Sequence, residues 1–231
     1  EIAVITTPPE GRRPVRTHVG EWDEELIKQA LTREHERGGQ ALYMHDLVGT
    51  IDETADRIRA LMPGLKVEVV HGQLDERTLE ERMMQFIRGE HDVLVCTTIV
   101  ESGLDIPSAN TLIVERADKL GLSQAYQIRG RVGRGRERAF AYFLYPGAAS
   151  LTQVAGSRLA TLADHTELGS GFKIALRDLE TNLQQNGYWL SRITQSYARG
   201  ESPAGAFNPR PFYYQVTPAA VKKKVMVIGA G

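Results

Sequence analysis

Short apolar runs alternate with amphipathic segments along most of this chain, and that alternation leaves few folds open. Residues 15–19, 40–45, 66–70, 92–97, 111–115 and 139–145 read as strands. Residues 23–37, 75–88 and 123–131 read as helices, and Thr50 opens another with Glu53 three residues on, the spacing of a capping box. Gly38-Gly39 and Pro63-Gly64 supply stops. The apolar faces expected are Leu26, Ile27, Ala30 and Leu31, then Ala55, Ile58 and Leu61, then Leu79, Met83, Met84 and Ile87. The strands are continuous apolar runs rather than alternating ones, as expected when both faces of a sheet are covered. The expected fold is therefore α/β, an open, mostly parallel, doubly wound sheet with helices on both faces over residues 1–147.

From residue 148 to about 199 the pattern turns helical. Leu159, Leu162 and Ala163 are spaced on one helix, Leu168-Gly169-Ser170-Gly171 interrupts, and Ile174, Ala175, Leu176 and Leu179 resume. This predicts a helical hairpin and a following helix. Residues 200–231 read as a loop-like tail ending in one short strand at 222–228. The start, Glu1-Ile2-Ala3-Val4-Ile5, reads as a strand entered partway, so a piece of a longer protein is expected.

Charge narrows the function. Lys and Arg number 28 against 29 acids, so any affinity for nucleic acid must come from a local patch. Arg129, Arg131, Arg134, Arg136 and Arg138 form one. Cys96 is the single cysteine, which rules out an internal disulfide and suggests a cytoplasmic chain. It lies in an apolar strand, where a buried small residue is expected rather than a reactive thiol. No apolar run approaches the roughly 20 residues of a membrane span. The histidines do not pair with Cys or acids at metal-ligand spacing, so no metal site is expected.

The stretch from Leu94 to Arg136 carries the chemistry. An apolar strand ends in Thr97-Thr98, and Gly103-Leu104-Asp105 follows. Hydroxyls and free backbone N–H groups at such a turn can hold phosphate oxygens. Downstream, Gln127 precedes Arg131 and Arg134, which glycines separate. Guanidinium forks hold phosphates bidentately, and an arginine finger stabilises charge on a transferring phosphoryl group. The spacing predicts Arg131 and Arg134 one turn apart on a helix, with glycines admitting another surface closely. Thr97, Gly103 and Asp105 are expected at the same sheet edge, and Thr97-Thr98 and the turn after His71 at the carboxyl ends of strands.

These residues resemble the second motor lobe of superfamily 2 helicases and translocases, a RecA-like lobe. Cys96-Thr97-Thr98 through Gly103-Leu104-Asp105-Ile106-Pro107 is similar to the family's fifth motif. Gln127 to Arg134 fits its sixth, Gln-x-x-Gly-Arg-x-Gly-Arg, at every fixed position. Thr6-Thr7-Pro8-Pro9, His71-Gly72-Gln73, Glu115-Arg116-Ala117-Asp118, Gly121-Leu122-Ser123-Gln124 and Arg177-Asp178-Leu179-Glu180 narrow the resemblance to the bacterial transcription-repair coupling family, over about residues 1–180. A branched-DNA helicase of the same subgroup is the near alternative.

The resemblance implies roles. Arg131 and Arg134 would contact the γ-phosphate of ATP held with Mg²⁺ mainly by a first RecA-like lobe, and Gln127 would help sense it. Gly103 and Asp105 would lie beside the nucleotide. Thr97, with Thr98, would meet the backbone of double-stranded DNA, as would the His71-Gly72 turn. The hairpin would transmit nucleotide state to DNA. Other domains of the full protein would reach RNA polymerase and repair proteins.

Three features depart from that pattern. The 231 residues contain no phosphate loop and no acidic Mg²⁺ motif, so this polypeptide alone is expected not to hydrolyse ATP. After Glu180 the chain reads Thr181-Asn182-Leu183-Gln184, where the family has an Ile-Arg-Gly-Ala-Gly stretch belonging to its translocation motif. Residues 182–199 faintly resemble a C-terminal helix of insulinase-type peptidases, and Val225-Met226-Val227-Ile228-Gly229-Ala230-Gly231 resembles the opening of a dinucleotide-binding unit; together they suggest a mosaic. The rival readings are a non-enzymatic α/β module that binds nucleic acid or protein through the arginines, and the start of a nicotinamide or flavin enzyme.

Overall fold

The computed structural model describes residues 13–97, 109–133 and 137–165, together with Ile174 and Arg177. All but Arg177 fall in one compact unit, Thr7–Ile174. The elements in order are β1 (Arg16–Glu21), α1 (Glu24–Glu36), β2 (Gln40–Met44), α2 (Ile51–Leu61), β3 (Val67–Val70), α3 (Glu76–Ile87), β4 (Val93–Cys96), β5 (Ala109–Val114), α4 (Leu122–Arg129), β6 (Phe140–Tyr145) and α5 (Gln153–Asp164). The strands form one sheet in the order β1-β6-β5-β2-β4-β3, and every pairing is parallel.

Each apolar run divides its residues between the two faces. Along β2, Ala41 and Tyr43 join one core with Ile27, Ala30 and Leu31 of α1 and Ile51, Ala55 and Ile58 of α2. Leu42 and Met44 join the other, with Met83 and Phe86 of α3, Ile128 of α4 and Leu159 and Leu162 of α5. Successive side chains point to opposite faces of a strand, so a strand with helices on both sides must be apolar throughout. Helices do cover both faces, as expected. Burial also pushes the Cys96 thiol up to about 12, so the thiol stays protonated.

Local signals set the helix starts. Asp23 caps α1, its carboxylate accepting from the Glu25 and Leu26 amides at 2.8 and 3.2 Å. Asp75 caps α3 through the Thr78 amide at 3.0 Å. Thr50 does not form the expected capping box. A 3₁₀ turn, Val48–Thr50, precedes α2, and the Thr50 hydroxyl lies 2.7 Å from His45 Nε2 instead. A part-buried ring five residues back outcompetes the local amide for that hydroxyl. On α3, Met84 proves 42% exposed while Phe86 fills the core, because the helix turns a neighbouring stripe inward.

α5 packs on the sheet through Leu159 and Leu162. Ile174 is helical and buried in the same core. The remainder of the expected hairpin, the N-terminal strand at 2–5 and the tail at 200–231 lie outside the described residues.

Candidate functional site

Two ends of the sheet have different chemistry. At the carboxyl ends, β3 and β4 pair in register with Val70 opposite Cys96. His71 and Thr97, the next residues, therefore leave the sheet side by side, as expected. Thr97 is buried, at 7% exposure. His71 begins a tight turn in which its carbonyl accepts from the Leu74 amide at 3.1 Å, with Gly72 exposed at the bend. The His71 Nδ1 atom is buried without a hydrogen-bond partner. Thr98 lies outside the described residues.

Beside them stands a polar network that the motif reading missed. His45 Nδ1 lies 2.5 Å from Glu115 Oε2, and Arg57 donates to Glu115 Oε1 at 2.6 Å. Burial alone would raise the Glu115 carboxyl, but the bonds from His45 and Arg57 outweigh it and hold its pKa below the ordinary range. Tyr43, beneath them, is pushed up to about 12 by burial and by the Glu115 charge. Arg116 grips Asp118 with two bonds of 3.0 and 2.9 Å, and Lys119 pairs with Asp46. The cations Arg57, Arg116 and Lys119 are thus each matched to an acid. A phosphate at this end would be met by hydroxyls, ring nitrogens and backbone amides. The signal that could have found the network was a histidine and an acid closing two strands, His45 after β2 and Glu115 after β5.

The arginine motif lies at the opposite, amino end. α4 starts near the carboxyl end of β5 and runs back along the sheet, as a parallel crossover must. It ends at Arg129, with Gly130 as its cap. The Gly133 amide donates at 3.3 Å to the carbonyl of Ala109, the first residue of β5. A Cβ built on Gly133 would stand 2.6 Å from the Ala139 Cβ, just before β6, and 3.4 Å from Val15, just before β1. Strands of four to six residues separate the two ends by roughly 13 to 20 Å. The expectation that Thr97 shares an edge with the arginine segment is therefore corrected.

Two further expectations change here. Arg131 does not sit on the expected helix: α4 has already ended at Arg129, and Gly133 has φ +76°, a left-handed conformation outside the helical region. The close approach that Gly133 permits is to Ala139 of the chain itself. Nor does Arg129 belong to a solvent-facing patch. It is 4% exposed, donates to the carbonyls of Leu162 and His165 at 2.9 and 2.7 Å, and has its pKa lowered by burial. Arg131 is half-buried, Arg138 is exposed, and Gln127 is exposed on the last turns of α4. Gly103, Asp105, Arg134 and Arg136 lie outside the described residues.

Arg16 at the start of β1, Arg131 after α4 and Arg138 before β6 all stand at this amino end. Among the described residues no group of three or more His, Cys, Asp or Glu could hold a metal ion. Among them too, no helix is long and apolar enough to cross a membrane.

The family described as helicase conserved C-terminal domain matches residues 22–136. The transcription-repair-coupling factor of Mycobacterium tuberculosis is 57% identical over 180 residues, which is 78% of this chain and 15% of that protein. That of Staphylococcus aureus USA300 is 52% identical over 192 residues, 83% of this chain and 16% of its own. The chain thus spans about a sixth of the length of these relatives. RecG bound to a three-way DNA junction superposes with a TM-score of 0.65 at 29% identity, over 83% of this chain and 26% of that one. Dbp5 of S. cerevisiae, bound to RNA and ADP BeF3, shares the fold at a TM-score of 0.53 and 14% identity, over 78% of this chain and 48% of that one. Over this lobe the chain is a helicase conserved C-terminal domain, and it belongs with the transcription-repair coupling factors.

Proposed function

We propose that this chain is the second RecA-like motor lobe of an ATP-dependent double-stranded DNA translocase that acts on stalled RNA polymerase. One observation supports the reading: Thr97 and His71 leave a single parallel sheet at its carboxyl end, while the Gly130 to Gly133 segment lies at its amino end. A motor lobe needs that separation, because nucleotide at one end must move DNA at the other.

At the amino end, Arg131 and Arg134 meet the γ-phosphate of ATP seated on the first lobe, with Gln127 beside them. Preorganised guanidiniums stabilise the charge that develops on the transferring phosphoryl group. Gly103 and Asp105 lie by the nucleotide. Mg²⁺, which neutralises phosphate charge, is held by acids of the first lobe. At the carboxyl end, Thr97, Thr98 and the His71-Gly72 turn take the DNA backbone. Arg129 joins the arginine segment to α5, so closure over nucleotide reaches the helical hairpin. Residues 1–147 form the lobe, 148–199 the hairpin and following helix, and 200–231 a separate tail. RNA polymerase and repair proteins are reached through other domains of the full protein.

The test is Arg131→Ala and Arg134→Ala in the two-lobe protein. Each should lower ATP turnover by roughly 10³- to 10⁵-fold while DNA affinity stays within a few-fold. Near-normal turnover in both would overturn the reading.

A further inference from the structure

We propose that Glu34 of α1 and Arg37, the residue that caps its end, position the arginine segment, and that Arg37 sets the turnover rate through Arg131 without touching substrate; this rests on the nucleotide-end reading above. Glu34 is a carboxylate at 1% exposure, on a helix face otherwise built of Ile27, Ala30 and Leu31. A buried charge needs strong partners to persist. Its Oε2 atom accepts from the Thr111 hydroxyl of β5 at 2.5 Å and from Arg37. Its Oε1 atom is buried without a hydrogen-bond partner, in space that only a glycine at 39 leaves open, since a Cβ there would come within 1.9 Å of it. Sheet and helix end thus hold the carboxylate through Oε2 alone.

Arg37 carries that constraint outward. One guanidinium nitrogen is held by Glu34, and another donates to the Arg138 carbonyl at 2.6 Å. Its guanidinium also lies 5.6 Å from the centre of the Phe140 ring, which Arg33 covers at 3.6 Å. Arg138 precedes Ala139, and Ala139 is the residue packed against Gly133. A continuous path therefore runs from Thr111 through Glu34 and Arg37 to the Arg138 carbonyl, and on through Ala139 and Gly133 to Arg131. Only a planar fork can hold a carboxylate and a carbonyl in this way; an ammonium reaches one of them. The placement of a phosphate-stabilising arginine matters steeply, since about 1 Å of displacement can cost 100-fold in rate.

Two measurements test this. On the 231-residue chain, Arg37→Met should speed amide hydrogen exchange over residues 137–142, and should do so equally with Glu34→Gln added, which leaves no buried charge unpaired. In the two-lobe protein, Arg37→Met should lower kcat for ATP by roughly 10- to 100-fold with KM for ATP nearly unchanged. Arg37→Lys should recover part of the loss, and Glu34→Gln should show it in smaller degree. With Arg131→Ala already present, Arg37→Met should add nothing. Unchanged exchange, an equal loss in both backgrounds, or a rise in KM without a fall in kcat would overturn the proposal. If Arg131→Ala itself leaves turnover intact, the nucleotide reading fails, and the exchange result still decides whether Arg37 holds the segment.

Discussion

The Arg129 guanidinium donates to the Leu162 carbonyl at 2.9 Å, and that bond holds the last turn of α5 against the end of α4. A second bond, to His165, engages the carbonyl just beyond the helix. These are carbonyls that a helix end leaves without intrahelical partners. An arginine inside the most recognisable motif of the chain therefore serves as the C-terminal cap of another helix.

Replacing Arg129 should therefore cost stability. Arg129→Met leaves the buried Leu162 carbonyl and the part-buried His165 carbonyl unmatched, a loss of about 1 to 3 kcal/mol. Urea unfolding followed by circular dichroism measures it, and a change below about 0.5 kcal/mol would argue that the bonds contribute nothing. Arg129→Lys should recover little, since one ammonium cannot reproduce the fork.

Gly133 should be the least replaceable of three glycines with positive φ. Gly38, Gly89 and Gly133 have φ of 69°, 78° and 76°. A methyl group at Gly38 or Gly89 meets nothing within 4 Å, whereas at Gly133 it collides with Ala139. Gly38→Ala and Gly89→Ala should each cost about 1 to 2 kcal/mol, and Gly133→Ala clearly more. Equal costs at all three sites would show that the Ala139 contact yields freely.

Acid should weaken the carboxyl-end network. Glu115 is held low by His45 and Arg57 against the effect of burial, and Asp118 is held low by its bond from Arg116. A carboxyl whose folded pKa is depressed contributes fully above its unfolded pKa and loses that contribution as pH falls through the folded value. Arg57→Met should thus destabilise the protein most near neutrality, with the difference from wild type shrinking below about pH 4. A difference that stays constant from pH 7 to pH 3 would remove Glu115 from the account.

The 231-residue chain by itself should show no ATPase activity, with or without double-stranded DNA. The phosphate loop and the acidic Mg²⁺ motif are absent from its sequence. A steady-state phosphate-release assay checks this, and DNA-stimulated release that depends on Arg131 would contradict it.

The elements were largely readable because each rests on local chemistry. Asp23 and Asp75 cap the helices they precede, and a strand such as β2 must be apolar at every position to face helices on both sides. Thr50 shows the limit. Its spacing to Glu53 is a valid cap signal, yet His45, five residues earlier at the end of β2, takes the hydroxyl. Met84 and Phe86 show another, since helical spacing names a stripe but not which neighbouring stripe the sheet will cover.

For the site, sequence by itself determined the chemistry: hydroxyls after one strand, and arginines between glycines after one helix. Tertiary structure decided where those residues stand. The parallel crossover through α4 carries the arginine segment to the amino end of the sheet while Thr97 and His71 stay at the carboxyl end. It also separated arginines that spacing had grouped, burying Arg129 in a cap and leaving Arg131 half-buried at the edge. The physical reason is that residue spacing encodes distance along a chain. Strand direction, and the competition of remote groups for each donor, exist only once the sheet has formed.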